Sequence, residues 1–204
     1  MRQEKKIGIL GGTFNPIHNG HLMIAENACK EFQLDEVWLM PAAIPPHKRN
    51  IHILEDMHRL AMVSLAAEDV PYFKASDYEL KQGQVSYTAD TLSALHKSVP
   101  DIHFYFIMGA DSLRDFETWY HPEIILANAD IIAAARDDMN EDTLNSYANR
   151  IQQHLHGKIN ILHVPTLNIS STMIRERAGM KKSVRYFVPD AVAEYIEQHR
   201  LYLN

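Results

Sequence analysis

The sequence has little of several features that would place it in particular classes of protein. It contains one cysteine, Cys29, in 204 residues, and so it cannot form the internal disulfides of a small secreted scaffold. The apolar run that follows its basic first six residues covers only positions 7–10, which is too short for a secretory signal peptide. No apolar run approaches the length of a membrane span. We therefore expect a cytosolic, cytoplasmic protein.

Positive charge is also in short supply. The 20 lysines and arginines are outnumbered by 26 aspartates and glutamates, which gives a formal net charge of −6. Such a chain has no overall basic field to attract nucleic acid or anionic lipid. We therefore expect neither nucleic acid nor a membrane as a partner, we expect any anion binding to be local, and we leave a homo-oligomer open.

Alternating apolar patterns predict the fold class. Short apolar runs predict strands at residues 7–10, 37–40, 104–108, 131–135 and 159–164, and helical periodicity predicts helices at residues 22–32, 56–67, 90–96, 144–155 and 190–200. This alternation is typical of an α/β fold with a doubly wound, mostly parallel sheet and helices on both faces. The sequence shows no internal repeat, low-complexity segment or linker. We therefore expect a single domain over residues 1–204, with a C-terminal helical segment from about residue 170 packed on it.

Residues 11–21 are the most informative segment, because they follow the first predicted strand and lead into the first predicted helix. Gly11 and Gly12 allow backbone N–H groups to approach an anion, and Asn19 is suited to cap the helix. His18 and His21 are three residues apart across the helix start, so both imidazoles can face one small volume. Ligands of doubly wound sheets bind at the carboxyl ends of the strands. The segment therefore predicts a phosphate site.

Other interpretations of this segment fit less well. Gly8, Gly11 and Gly12 match neither the dinucleotide-binding fingerprint nor the Walker A loop. A zinc site would need three or four ligands, and the segment offers His18 and His21 with no carboxylate or thiolate. A glycine pair alone is common in ordinary turns, and a histidine pair alone is usually structural. The combination after a strand favours phosphate.

The segment resembles the signature loop of the nucleotidyltransferase superfamily of adenylyl- and cytidylyltransferases. Residues 169–175 resemble the same superfamily's Ile-Ser-Ser-Thr-x-Ile-Arg segment, in which a helix N-terminus and an arginine hold a triphosphate. The chemistry agrees, because Ser171 or Thr172 can cap a helix and Arg175, about one turn later, offers a planar guanidinium to the same anion. The resemblance implies a Rossmann-like nucleotidyltransferase fold.

Further segments resemble the nicotinate-nucleotide adenylyltransferase family, and this resemblance spans nearly the whole chain. They are Pro45-Pro46-His47-Lys48, the Ser-Tyr-Thr-Ala-Asp-Thr-Leu segment at residues 86–92, Gly109-Ala110-Asp111 followed by Trp119, and the closing residues 186–202. One departure follows the fifth predicted strand, where the family's Arg-Pro-Gly is replaced by Arg136-Asp137-Asp138. Arg136 can still line the adenine side, but the two carboxylates beside it change the local charge and turn.

The resemblance implies an ATP-binding nucleotidyltransferase of NAD (pyridine nucleotide) biosynthesis. It would transfer the AMP part of ATP to the 5′-phosphate of nicotinate mononucleotide and release pyrophosphate, with Mg²⁺ bound mainly through the ATP phosphates and no protein metal ligands. The implied catalytic residues are His18, His21, Lys48 and Arg175. The implied ATP-binding residues are Gly11, Gly12, Thr13, Phe14, His18, His21, Asp111, Ser171, Thr172 and Arg175. The implied mononucleotide-binding residues are Asn15, Lys48, Thr88, Trp119 and Tyr120.

Several alternatives stay open. A related transferase with phosphopantetheine or a phosphorylated polyol as acceptor would share both phosphate motifs, although it is not expected to carry residues 86–92 or the pair Trp119-Tyr120. Preference for nicotinamide mononucleotide would rest on backbone N–H groups, and a non-catalytic nucleotide sensor could share the fold. Adjacent aromatic residues also pack commonly in cores, a basic loop such as that around Lys48 is commonly only solvated, and Asp111 could cap a helix instead of binding a sugar.

Overall fold

A six-stranded parallel sheet forms the centre of the protein. The computed structural model describes residues 4–44, 53–83, 85–136 and 140–203, and within them the strand order is β3-β2-β1-β4-β5-β6. The strands are β1 (Lys5–Gly12), β2 (Glu36–Pro41), β3 (Phe73–Ala75), β4 (Ile102–Gly109), β5 (Asp130–Arg136) and β6 (Ile159–Val164). All neighbouring strands pair in parallel. The order reverses between β1 and β4, which is where doubly wound sheets bind ligands.

Helices connect the strands and cover both faces of the sheet. In the described ranges they are α1 (Asn19–Glu31), α2 (Asp56–Ala67), α3 (Tyr78–Gln82), α4 (Thr88–Ser98), α5 (Pro122–Asn128), α6 (Glu141–Leu155), α7 (Ser171–Gly179) and α8 (Asp190–Gln198). Two short 3₁₀ helices, Ala110–Leu113 and Phe116–Thr118, follow β4. None of the described helices is long and apolar enough to cross a membrane. The predicted α/β fold class is confirmed.

Successive strand residues face opposite sides of the sheet, and this alternation divides the interior into two hydrophobic cores. Leu10 of β1 packs in the first core with residues of α1, α2, α7 and α8. The neighbouring Ile9 packs in the second core with residues of α4, α5 and α6. Cys29 of α1 is buried in the first core. Both faces are therefore covered, and the strand ends remain as the place for a ligand.

The five strands and five helices predicted from periodicity are all present, and α2 has the predicted bounds. Helix α7 was indicated by its N-terminal motif and not by periodicity. Among the described strands and α-helices, β3, α3 and α5 were not predicted, and they contain three, five and seven residues. Each is too short for its apolar pattern to be recognised by period. Helix α1 also begins three residues before the predicted residue 22. The apolar pattern did not show this start because the first turn of the helix is polar.

The predicted cap of α1 is wrong. The helix begins at Asn19 itself, and His18, in an extended conformation, occupies the N-cap position. The side chain of Asn19 instead donates a hydrogen bond to the carbonyl oxygen of Tyr186 over 2.8 Å. Asn19, which was expected to cap the helix, therefore connects the start of α1 to the C-terminal part of the chain.

The predicted caps of two later helices also differ from the structure. The hydroxyl of Ser170 accepts the Met173 N–H over 3.2 Å, so α7 is capped one residue before Ser171. The backbone of Ser170 is extended, as a cap requires. Asp111 caps no helix, because it is the second residue of the 3₁₀ helix that Gly109 precedes.

Candidate active site

Two adjoining cavities open at the carboxyl end of the sheet. Cavity A, of about 540 Å³, is bordered by the loop after β1, the start of α1 and the start of α7. Cavity B, of about 840 Å³, is bordered by the ends of β1 and β2, the start of α4 and the aromatic segment after β4. Residues that line both cavities are Gly11, Thr13, Phe106, Ser112 and Trp119. Ligands in the two cavities would therefore meet beside the end of β1.

Two histidines lie face to face in cavity A: His18, at the end of the loop of residues 13–18, and His21, in the first turn of α1. The rings of His18 and His21 are stacked, with centroids 3.6 Å apart and planes 20° apart. The backbone N–H of His18 donates to Nδ1 of His21 over 3.3 Å, and Phe14 meets the His21 ring edge-on at 5.1 Å. The expectation that both imidazoles occupy one small volume is confirmed.

The protonation of the two imidazoles follows from their surroundings. His18 is only 6% exposed, and this burial lowers its pKa to about 4, so the ring is neutral at pH 7. In His21 the Nδ1 atom accepts a hydrogen bond from the backbone N–H of His18, which leaves Nε2 as the ring nitrogen that can donate. The site therefore holds imidazole N–H donors before any anion arrives.

The start of α7 faces the histidines across cavity A. Because Ser170 satisfies the N–H of Met173, the N–H groups of Ser171 and Thr172 are the ones left at the helix start without intrahelical partners. Arg175 donates from Nη1 to the carbonyl oxygen of Asn15 over 2.9 Å and from Nη2 to the hydroxyl of Thr172 over 3.1 Å. The two sequence motifs, more than 150 residues apart in the chain, thus form one site.

A buried arginine that the sequence did not single out supports the same loop. Arg59 of α2 is fully buried, and its Nη1 donates to the carbonyl oxygen of Thr13 over 2.8 Å. The guanidinium also donates to the carbonyl oxygens of Leu54 and Ala43 and forms an ion pair with Asp56. The available signal was a charged residue within the apolar stripe of a predicted helix.

Aromatic side chains and a helix N-terminus shape cavity B. Trp119 packs against Phe106 and Phe116, with centroids 6.2 and 5.5 Å apart, and Tyr120 packs on Tyr87 at 4.3 Å. Thr88 is the first residue of α4, so backbone N–H groups without intrahelical partners lie at the cavity wall. Cavity B therefore offers flat apolar surfaces beside a weakly positive helix end.

Glu79 is a further residue of cavity B that the sequence did not indicate. Its carboxylate accepts a hydrogen bond from the hydroxyl of Thr91 in α4 over 2.8 Å. Burial raises its pKa, while hydrogen bonds with Thr91 and Ser86 act in the opposite direction. Because Ser86 also accepts the N–H of Ala43 over 3.0 Å, these contacts connect the start of α4 to the end of β2.

The other predicted site residues differ in their relation to the two cavities. Asn15, predicted to bind the mononucleotide, lines cavity A. Asp111 is exposed and is not among the described residues that line either cavity, whereas its neighbour Ser112 lines both. Lys48 and the side chain of Arg136 lie outside the described residues. Among the residues that are described, no group of three or more His, Cys, Asp or Glu side chains is arranged to hold a metal ion.

Sequence comparison assigns the chain to a family. Residues 9–177 match the profile of the cytidylyltransferase-like family. A protein of Lachnoclostridium phytofermentans named probable nicotinate-nucleotide adenylyltransferase is 44% identical over 199 residues, which cover 98% of this chain and 100% of that protein. The nicotinate-nucleotide adenylyltransferase of Bacillus subtilis is 39% identical over 198 residues, which cover 97% and 98% of the two chains. This chain belongs to the nicotinate-nucleotide adenylyltransferase family.

Comparison with solved structures identifies the same fold. The Plasmodium falciparum nicotinic acid mononucleotide adenylyltransferase complexed with NaAD has a TM-score of 0.79 at 20% identity, over 97% of each chain. A structure of the same enzyme complexed with APC has a TM-score of 0.76, also at 20% identity and over 97% of each chain. At that identity the likeness establishes the fold, and it confirms the predicted nucleotidyltransferase architecture. Membership of the adenylyltransferase family confirms the resemblance that the sequence motifs indicated.

Proposed function

We propose that this protein transfers the adenylyl group of ATP to the 5′-phosphate of nicotinate mononucleotide, giving nicotinate adenine dinucleotide and pyrophosphate. The observation that carries the proposal is the junction of cavities A and B at Gly11, Thr13 and Ser112. A reaction that joins two nucleotides through their phosphates needs two sites that meet at the reacting atoms. Family membership supports the same reaction.

ATP occupies cavity A in this proposal. Its triphosphate lies between the loop of residues 13–18 and the start of α7, where Ser171 and Thr172 offer N–H groups and Arg175 offers a guanidinium. The Arg175 side chain would exchange its contacts with protein oxygens for contacts with phosphate oxygens. Ser112, which lines both cavities, is better placed than Asp111 to face the ATP sugar.

The reaction is an in-line displacement at the α-phosphorus. An oxygen of the acceptor 5′-phosphate forms a bond to that phosphorus, while the bond to the oxygen bridging to the β-phosphate breaks and its electron pair leaves with pyrophosphate. The attacking oxygen is already anionic, so no proton has to be removed. His18 and His21 donate hydrogen bonds to the α-phosphate oxygens, where charge develops in the transition state.

Magnesium fits this arrangement as part of the ATP substrate. Because the described residues contain no cluster of metal-ligating side chains, the phosphate oxygens are the ligands we propose for the ion. When bound, Mg²⁺ supplies charge neutralisation to the pyrophosphate leaving group. The residues of α7 then orient the same phosphates through N–H groups and Arg175.

Nicotinate mononucleotide occupies cavity B. Its pyridine ring stacks on Trp119 or Tyr120, and its carboxylate lies at the start of α4, near Thr88. Backbone N–H groups at a helix N-terminus interact more favourably with a carboxylate than with a neutral amide. This favours nicotinate over nicotinamide mononucleotide as the acceptor.

The experiment that tests the proposal is pyrophosphate release from ATP and Mg²⁺ with three acceptors in parallel. They are nicotinate mononucleotide, nicotinamide mononucleotide and phosphopantetheine. We expect a strong preference for nicotinate mononucleotide. Preference for another acceptor would contradict the assignment of cavity B, and no release with any of the three would support a binding protein on this fold.

A further inference from the structure

A tyrosine beyond the last helix reaches the candidate active site. Tyr202 follows α8, and its backbone lies in the left-handed region at φ 65°, as does that of Arg200 at φ 50°. Side chains other than glycine and asparagine adopt this conformation at a cost of about 1 kcal/mol or more. The Tyr202 ring packs against the first core. The chain therefore accepts local strain at the point where this side chain turns inward.

The hydroxyl of Tyr202 contacts a residue of the loop after β1. It donates a hydrogen bond to Oδ1 of Asn15 over 3.0 Å. Asn15 is only 4% exposed and lines cavity A, and its carbonyl oxygen accepts the hydrogen bond from Arg175 over 2.9 Å. Asn15 is thus held at its side chain and at its main chain by residues from the C-terminal part of the protein.

We propose that Tyr202 is a positioning residue of the nucleotidyltransferase site, which fixes Asn15 and thereby the loop of residues 13–18. The inference rests on the proposed function, because it takes this loop to bind the triphosphate of ATP. Tyr202 is not among the described residues that line cavity A or cavity B. Its hydrogen bond to Asn15, which does line cavity A, is the route by which we propose that it affects the reaction.

The electrostatic surroundings keep the Tyr202 hydroxyl in its donor form. Burial raises the pKa of Tyr202 well above its ordinary value, although the positive charges of Arg175 and Arg59 act in the opposite direction. The phenol therefore stays protonated throughout the neutral range. The hydrogen bond from the Tyr202 hydroxyl to Oδ1 of Asn15 can therefore persist at every pH at which the enzyme would work.

Removal of the Tyr202 hydroxyl should make the loop of residues 13–18 less firmly held, because the hydrogen bond to Asn15 is lost. The ring that packs against the first core would remain. A displacement of about 1 Å at the reacting atoms can cost about 10²-fold in rate. Because Tyr202 is one contact away from the substrate, we expect Tyr202→Phe to lower kcat/KM for ATP by about 10-fold. The KM for the mononucleotide should stay the same, since Asn15 lines cavity A and not cavity B.

The matched control is Tyr195→Phe. Tyr195 lies in α8, and its hydroxyl forms a hydrogen bond with Nδ1 of His58 over 2.9 Å, away from both cavities. For each variant we would measure kcat, both KM values, the free energy of unfolding in urea, and the Kd of a methylene analogue of ATP by calorimetry. We expect weaker analogue binding in Tyr202→Phe alone. Equal stability losses in the two variants with unchanged analogue binding would overturn the proposal.

A double-mutant cycle tests the route through Asn15. If Tyr202 acts through that residue, Tyr202→Phe should cause no further loss in a chain that already carries Asn15→Ala. Additive losses would overturn the proposal. If Tyr202→Phe failed to fold, unchanged analogue binding in Asn15→Ala alone would still overturn it. Failure of the proposed function is distinguishable, because it would abolish pyrophosphate release by the unsubstituted enzyme while the calorimetric comparison could still be made.

Discussion

Nη1 of Arg59 donates a hydrogen bond to the carbonyl oxygen of Thr13 over 2.8 Å from a fully buried position in α2. The carbonyl oxygen of Gly12 likewise accepts the N–H of Ala42 over 2.8 Å, and that of Pro16 accepts the hydroxyl of Ser171 over 2.9 Å. The N–H and C=O of a trans peptide point in opposite directions. Donors that hold the carbonyl oxygen of Thr13 therefore turn the N–H of the next residue to the opposite side, as an anion-binding loop requires.

We expect Arg59→Lys to weaken both the fold and the binding of ATP. A lysine ammonium cannot maintain the forked contacts to Thr13, Ala43 and Asp56, and a buried carbonyl oxygen left without its donor costs about 1–3 kcal/mol. The measurements are urea unfolding and calorimetry with a methylene analogue of ATP. The control is Arg114→Lys, whose side chain is 67% exposed beside Asp115, and which should change stability by less than about 0.5 kcal/mol. A stability loss with unchanged affinity would show that Arg59 does not shape the loop.

Burial of His18 predicts a pH dependence of stability. Its pKa is about 4 in the folded protein and 6.5 in the unfolded chain, so the unfolded chain binds more protons between these values. Stability should therefore fall as the pH falls from about 6.5 to about 4, by up to about 3 kcal/mol from this group. At pH 7 and above the His18 imidazole is neutral in both the folded and the unfolded chain, so this loss of stability is absent.

The check is the difference in unfolding free energy between the unsubstituted protein and His18→Gln, measured at several pH values from 7 to 4. The carboxylates titrate in both proteins and cancel in this difference. We expect the acid loss to be smaller in His18→Gln, while the exposed His96→Gln should follow the unsubstituted protein. Parallel curves for all three proteins would contradict a buried neutral His18.

Much of the fold was predictable because its longer elements repeat their apolar pattern several times. Helix α2 covers 12 residues with an apolar face and has its predicted bounds, whereas β3 contains only three residues and shows no period. Helix ends were less predictable. Ser170 and Ser171 are both good caps, and only the extended backbone at Ser170 decides between them.

The candidate site was predictable where its residues lie in one local motif. His18 and His21 meet because they are three residues apart at a helix start. The contacts of Thr13 with Arg59 and of Asn15 with Tyr202 join segments that only the tertiary fold brings together. No local pattern around either partner specifies them. A local motif can also indicate a site without identifying the residue that lines it. Among the described residues, Ser112 lines both cavities, whereas its neighbour Asp111 lines neither.

Substitution of either histidine should slow the chemical step while leaving the fold nearly unchanged. Removal of a hydrogen-bond donor to a transition-state oxygen typically costs about 10²–10³-fold in kcat, and we expect about 10²-fold or more for His18→Ala and for His21→Ala. The measurement is single-turnover pyrophosphate release, with urea unfolding to verify the fold. His96→Ala serves as the matched control, because this histidine is exposed. Near-normal turnover in either site variant would remove that histidine from the mechanism.

The two aromatic residues after β4 should respond differently to removal, because Trp119 lines both cavities whereas Tyr120 lines only cavity B. Loss of a stacking partner costs about 1–3 kcal/mol by analogy with base stacking. Tyr120→Ala should therefore raise the KM for nicotinate mononucleotide by about 5- to 150-fold and leave the KM for ATP unchanged. Trp119→Ala should weaken the binding of the mononucleotide as strongly as Tyr120→Ala does, and it should weaken the binding of ATP to a smaller degree. Steady-state kinetics with each substrate varied in turn measure both effects. A change confined to the KM for ATP in Tyr120→Ala would exchange the substrates between the two cavities, since Tyr120 lines only cavity B.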